Sequence, residues 1–366
     1  MRDLRLLSVA LAVAAGLSAS AWGHHSRGNF NQEQVLEFQG VITEFTWRNP
    51  HAFTTLAVET ESGATQELLF ELNSIAVLTR EGWTRETLSV GDEVTVFANP
   101  DFDRSKNLYY SNYLVLADGG LIASAPGSAP DVVPRREQRQ VDQTARSEDF
   151  SGIWRIEGGR FGVGGMGMGM GGGNANRPTM SLGGQTAAVG LPLTARGQSE
   201  LDAWDVTDNP WFRCVSKTPP WLYSGVGAHQ FTRNGDSEVI IHHEINDVQR
   251  VIHLGMTDHP AATDPSHLGH SIGWFEGETL VVDTAFFEPA QWGIGSGVSS
   301  SEQKHLTERF TLLDDGRRMR LKYSIEDPVY LTESVMLSLT FGLDSGYPYQ
   351  DDYDCDLEAS SRHLIE

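Results

Sequence analysis

Apolar and polar positions alternate with period two over short stretches of this chain, and Gly, Asn, Asp and Pro punctuate the stretches. Residues 35–47 ("VLEFQGVITEFTW"), 51–60 ("HAFTTLAVET") and 65–72 ("TQELLFEL") read as strands, with a turn at Ser62–Gly63. Residues 73–80 ("NSIAVLTR") change to a helical pattern, with Asn73 as the expected N-cap. Strand patterning returns in "GDEVTVFANP" (91–100) and "LYYSNYLVLADG" (108–119). Three strands, a short helix and two strands is the order of an OB-like five-stranded barrel, and Gly40 stands inside the long first strand where such barrels bend. An open five-stranded sheet is the alternative.

The second half is denser in strands. After "GIWRIE" (152–157), the stretch "HQFTRNGDSEVIIHHEINDVQRVIHLGM" (229–256) holds two turn signals, Asn234–Gly235 and Asn246–Asp247, between three strands. Further strands are "ETLVVDTAFF", "HLTERFTLL", "RRMRLKYSIE" and "TESVMLSLTF", with a turn at Asp314–Asp315–Gly316. Only residues 193–206 read as helix. Consecutive hairpins predict a larger antiparallel β-barrel or sandwich, and Gly152-x-Trp154 resembles the first strand of lipocalin-like barrels. Residues 119–148 are first rich in Gly, Ala, Ser and Pro and then charged, without apolar periodicity, and read as a linker. The expected organisation is therefore residues 24–118, a linker at 119–148, and residues 149–366 with a Gly/Met-rich loop at 159–178.

The first 23 residues form a secretory signal peptide by pattern: Arg2 and Arg5, an apolar run from Leu6 to Leu17, then small residues. The apolar run is too short to span a bilayer, so the expectation is a periplasmic or secreted protein with no membrane insertion after cleavage. Removing residues 1–23 takes two Arg and one Asp from 27 basic and 49 acidic residues, leaving 25 and 48. That acidic excess repels nucleic acid and anionic lipid, so neither is expected as a partner. The two cysteines, Cys214 and Cys355, are too few for a thiolate zinc site and suit one disulfide in an oxidising compartment.

Two cleavage sites satisfy the small-x-small rule, after Ala21 and after Gly23. The first leaves Trp22–Gly23–His24, whose third-place histidine can wrap Cu(II) with the amine and two amide nitrogens. The second leaves His24 first, where amine and ring chelate copper together and a further imidazole is needed. His51, fixed behind Asn49–Pro50, is the expected donor, with His25 as a possible fourth nitrogen. Met166, Met168 and Met170 alternate with glycines and offer soft thioethers for Cu(I), or form a plain spacer.

Nine of the twelve histidines lie in the second half. His242, His253, His259, His267 and His270 form a candidate second metal or ligand site, with a hairpin expected to bring His242 or His243 beside His253. Asp258, Asp264, Glu276, Asp283 and Glu308 are candidate oxygen ligands or bases. No H-E-x-x-H spacing, nucleophile elbow, phosphate loop or dinucleotide fingerprint occurs. An enzyme is therefore the less favoured class, with a metal-dependent hydrolase or lyase as its form. The remaining readings are a barrel taking a small ligand, with Trp274, Phe286, Phe287 and Trp292 as candidate walls, and an envelope scaffold.

"HHS" behind a signal peptide, "WRNPHAF", "GWTRETLSVGDEVTV" and a final "LADG" resemble an uncharacterised family of small exported bacterial proteins across about residues 24–120. In that family His-His starts the mature chain, which implies cleavage after Gly23. "GHSIGWFEGETLVVDTAFF" and "HLTERFTLLDDG" resemble a second exported group of unassigned activity, with Trp274-Phe275-Glu276-Gly277-Glu278-Thr279 departing from its W-E-G-D-T. The resemblances imply compartment and fold and carry no activity.

Overall fold

The computed structural model describes residues 30–60, 62–124, 128, 141–157, 190–223, 227–261, 263–349 and 355–361. Residues 1–23, His24, His25 and the whole Gly/Met-rich loop at 159–178 with its three methionines lie outside them.

In the first half, β1 (Leu36–Thr46), β2 (Phe53–Glu59) and β3 (Thr65–Glu71) form an antiparallel meander, followed by α1 (Ile75–Arg80), β4 (Glu93–Pro100) and β5 (Leu108–Leu116). The sheet order is β3-β2-β1-β4-β5, and a parallel β3–β5 pairing closes the five strands into a barrel of OB type. The period-two pattern places Ile42, Leu56, Leu68, Phe70, Val96 and Leu114 inside. Gly40 lets two strands approach closely: a Cβ there would lie 2.6 Å from the Ala57 carbonyl oxygen. The helix differs from expectation at its start, because Ser74 and not Asn73 occupies the N-cap. Asn73 is engaged elsewhere: its carbonyl accepts from Ala52 N–H at 3.2 Å, and its side chain accepts from Ser74 N–H. A sixth strand, β6 (Leu121–Ala123), turns back on β5 and is buried. The first unit thus runs past residue 118 into the segment expected to be linker.

The second half is a closed nine-stranded barrel. Its strands are β7 (Gly152–Ile156), β8 (His229–Asn234), β9 (Glu238–His243), β10 (Val248–Leu254), β11 (His270–Glu276), β12 (Thr279–Ala285), β15 (His305–Leu313), β16 (Arg318–Glu326) and β17 (Val335–Leu343). Neighbouring pairs are antiparallel except β10–β11, which is parallel because residues 255–269 carry the chain back before it re-enters the sheet. A separate hairpin, β13 (Ala290–Gly295) and β14 (Val298–Ser300), stands beside the barrel, and α2 (Ala195–Asp202) starts at a Thr194 N-cap that accepts from Gly197 N–H. The core begins before residue 149, since Ser147 and Phe150 are buried and Ala145 packs on it.

The Cys214–Cys355 disulfide is present. It leads into α3 (Leu357–Ser361), and the same tail touches the first barrel, where Asp356 N–H donates to the Asn49 carbonyl at 2.9 Å. Among the described residues no helix is long and apolar enough to cross a membrane.

Candidate functional site

His51 is positioned by its neighbours on both sides. Asn49 is buried and bridged to Cys355, and Ala52 N–H donates to the Asn73 carbonyl while Leu72 N–H donates to the Ala52 carbonyl, which pins the segment to the end of β3. This places the His51 ring against Glu71, with Nδ1 at 2.5 Å from Oε1. Both side chains are mostly enclosed, 21% and 12% exposed. One ring nitrogen is thereby fixed by a carboxylate and Nε2 is left for another partner, the arrangement by which metal-ligating histidines are oriented. Glu71 has no counterpart in the sequence reading. Its signal was the alternation of β3, which places Glu71 in register with Phe53, two residues after the histidine.

The described chain begins close by. Phe30 bridges to Asp101 and packs its ring on Tyr110, with centroids 5.6 Å apart. Tyr110 is the β5 partner of Glu71. His24 stands six residues before Phe30, a span of roughly 20 Å for extended chain.

The five candidate histidines of the second half separate into three places. His253, His259 and His270 come together: the His253 and His270 rings stack at 5.1 Å, and His259 Nδ1 lies 2.7 Å from His270 Nδ1. Asp283 joins them, 2.9 Å from His259 Nε2 and 2.8 Å from His305 Nε2. His305, which was not singled out from sequence, completes a hydrogen-bonded row. Asp283 bonds raise the His305 imidazole above its ordinary value, while burial and then His259 and His253 lower His270. The Asp283 oxygens are thus spent on two histidines, and among the described residues no three His, Cys, Asp or Glu converge to hold a metal ion.

His242 stands apart, with Nε2 at 2.5 Å from Asp247. The expected neighbourhood of His242 or His243 with His253 is not found. The tight turn at Asn246–Asp247 pairs His243 with Val248, so His253 falls opposite Glu238. The β8–β9 hairpin instead sets His243 against His229, Nδ1 to Nδ1 at 3.1 Å, wholly buried. Beside them Arg250 pairs with Glu308 and donates to Ser271 Oγ at 3.0 Å and Tyr223 OH at 3.2 Å. Glu308 is therefore committed to a buried polar core.

His267 lies in a third place, a pocket of about 220 Å³ between residues 209–221 and the start of β13, where Trp292 is also a wall. His267 Nε2 lies 2.7 Å from the Ser216 carbonyl, and the His267 carbonyl accepts from the Thr218 hydroxyl at 2.8 Å. The other expected wall residues are elsewhere. Phe287 is in the core, Trp274 is 40% exposed, and Phe286 meets the His259 ring. A larger cleft of about 650 Å³ runs between the first barrel and the C-terminal tail, with Arg48, Arg85, Glu44 and Asp356 in its walls.

Residues 12–108 match the profile of a family of unknown function (DUF6152). No curated protein and no solved structure matches the chain.

Proposed function

We propose that this is an exported protein that binds copper at the end of its first barrel, with His24 and His51 as ligands and His25 as a further nitrogen donor. The observation that carries the reading is the His51–Glu71 pair: a carboxylate takes Nδ1 and leaves Nε2, beside the point where the chain from His24 enters the fold. Export is supported by the signal-like residues 1–23 and by a disulfide joining both cysteines. An N-terminal amine and imidazole with a second imidazole suit copper by ligand type.

The test starts with mass spectrometry of the exported chain, which fixes its first residue. With His24 first, a copper titration of His51→Ala is expected to weaken binding at least tenfold, and Glu71→Gln by a smaller factor within the same range, since ligands and their orienting partners are worth about 10–100-fold. His24→Ala abolishes the site. If the chain starts at Trp22, the four nitrogens are local, and His51→Ala and Glu71→Gln are silent. A His24 start with affinity no better than an unstructured His-His peptide removes the copper reading.

A further inference from the structure

The pocket beside β13 stands out from the acidic balance of the chain. The chain carries a formal charge of −22, yet among the sixteen residues around this pocket there is no Asp or Glu, while Arg213, Lys217 and His267 are present. The neighbouring acids in sequence, Asp208 and Glu288, are not among its walls. Three indoles, Trp211, Trp221 and Trp292, supply flat apolar walls. Trp292 is held there at φ 59, a conformation that a bulky residue rarely adopts.

Asn209 and Trp211 each place in the walls a buried donor with no hydrogen-bond partner among the described residues. Asn209 is only 3% exposed; its Oδ1 accepts from Trp211 N–H at 3.1 Å, which leaves Nδ2 as the donor, and that nitrogen has no hydrogen-bond partner. Trp211 Nε1 is likewise buried without a partner. A buried donor of this kind is costly to leave unpaired and is satisfied when a ligand supplies an acceptor. Arg213 is exposed and makes no ion pair among the described residues, and Lys217 lies over the Trp211 ring at 4.8 Å, its ammonium pushed down to about 8 by burial. The segment is fixed from behind by the Cys214 disulfide and by Ser360 Oγ donating to the Trp211 carbonyl at 3.1 Å.

We infer that this pocket binds a small planar aromatic carboxylate, with its ring between the indoles and its oxygens toward Asn209 Nδ2 and Arg213. The volume of about 220 Å³ suits one ring or two fused rings, and the cations select the ionised acid over its neutral relatives. The site is independent of the copper reading, since it lies on the second barrel.

The probe is indole-3-acetate, with indole-3-acetamide as the neutral control, titrated into the full exported chain by calorimetry and tryptophan fluorescence. One saturable site is expected, at least tenfold tighter for the acid and weakened by added salt. Asn209→Asp keeps the oxygen that caps Trp211 N–H and replaces the orphan donor with a charge. It is expected to weaken the acid at least tenfold and to leave the amide within threefold. Arg213→Gln, at an exposed side chain, should lose the acid by a similar factor and decides the matter if Asn209→Asp disturbs the fold by circular dichroism. Absence of saturable binding, equal affinity for acid and amide, or acid binding unchanged in both variants would overturn the proposal.

Discussion

Buried histidines make the second barrel sensitive to acid. His229 and His243 face each other inside it, and burial lowers His229 to about 4, while burial and then the His229 and Arg250 charges lower His243 well below its ordinary value. The folded barrel therefore binds fewer protons than the unfolded chain between the ordinary histidine value and about 4. Stability falls as pH drops through that window, with His229 alone accounting for about 2 kcal/mol between pH 7 and pH 5. His305 has the opposite sign: Asp283 raises it, so its contribution is complete at low pH and is lost as pH rises through the raised value. That side chain is 38% exposed, so solvent weakens its share. Denaturant unfolding at pH 7 and pH 5 should show the net loss, and equal stabilities would mean that the histidine pair is not held neutral in the barrel.

At the level of elements, the disulfide controls more than its own loop. Cys214 ends the turn of 3-10 helix Pro210–Arg213 with φ 57, and Cys355 leads into α3, which packs back on that turn. The bridge spans a sequence separation of 141, for which the chain-entropy account gives about 5 kcal/mol. Replacing both cysteines with serine should lower the melting temperature of the second barrel and also weaken indole-3-acetate, because Asn209, Trp211 and Arg213 lose their backing. A melt that shifts while acid affinity stays put would separate the pocket from the bridge.

On the scale of the molecule, two barrels with separate hydrophobic clusters share a chain and a small contact through the C-terminal tail. The first sheet ends at Ala123 and the second core begins to pack near Ala145, so the boundary between the two units falls in that interval. That interval carries no apolar periodicity and is the expected site of limited proteolysis. Cleavage should give two fragments that each keep β-sheet circular dichroism and melt independently. Resistance across residues 125–140 would mean that the two units unfold as one.

Local chemistry determined much of this architecture. Period-two alternation, a single helical interruption at 73–80 and Gly40 pointed to a five-stranded sheet of OB order, because each strand has one face that must be buried and one that must not, while its closure came from the β3–β5 pairing. Turn residues at Asn234–Gly235 and Asn246–Asp247 set the registers of two hairpins, the first of which brings His229 opposite His243. The disulfide followed from there being only two cysteines. Tertiary structure decided what no local pattern encodes. The parallel β10–β11 pair depends on how residues 255–269 cross the barrel end, and closure into nine strands depends on pairings between distant segments. Glu71 reaches His51, His305 joins Asp283, and Asn209 and Trp292 line one pocket for the same reason: sheet closure and chain crossings bring together residues far apart in sequence. A side chain's partner across a sheet is set by register and barrel size, which are properties of the whole packed molecule and not of its neighbours along the chain.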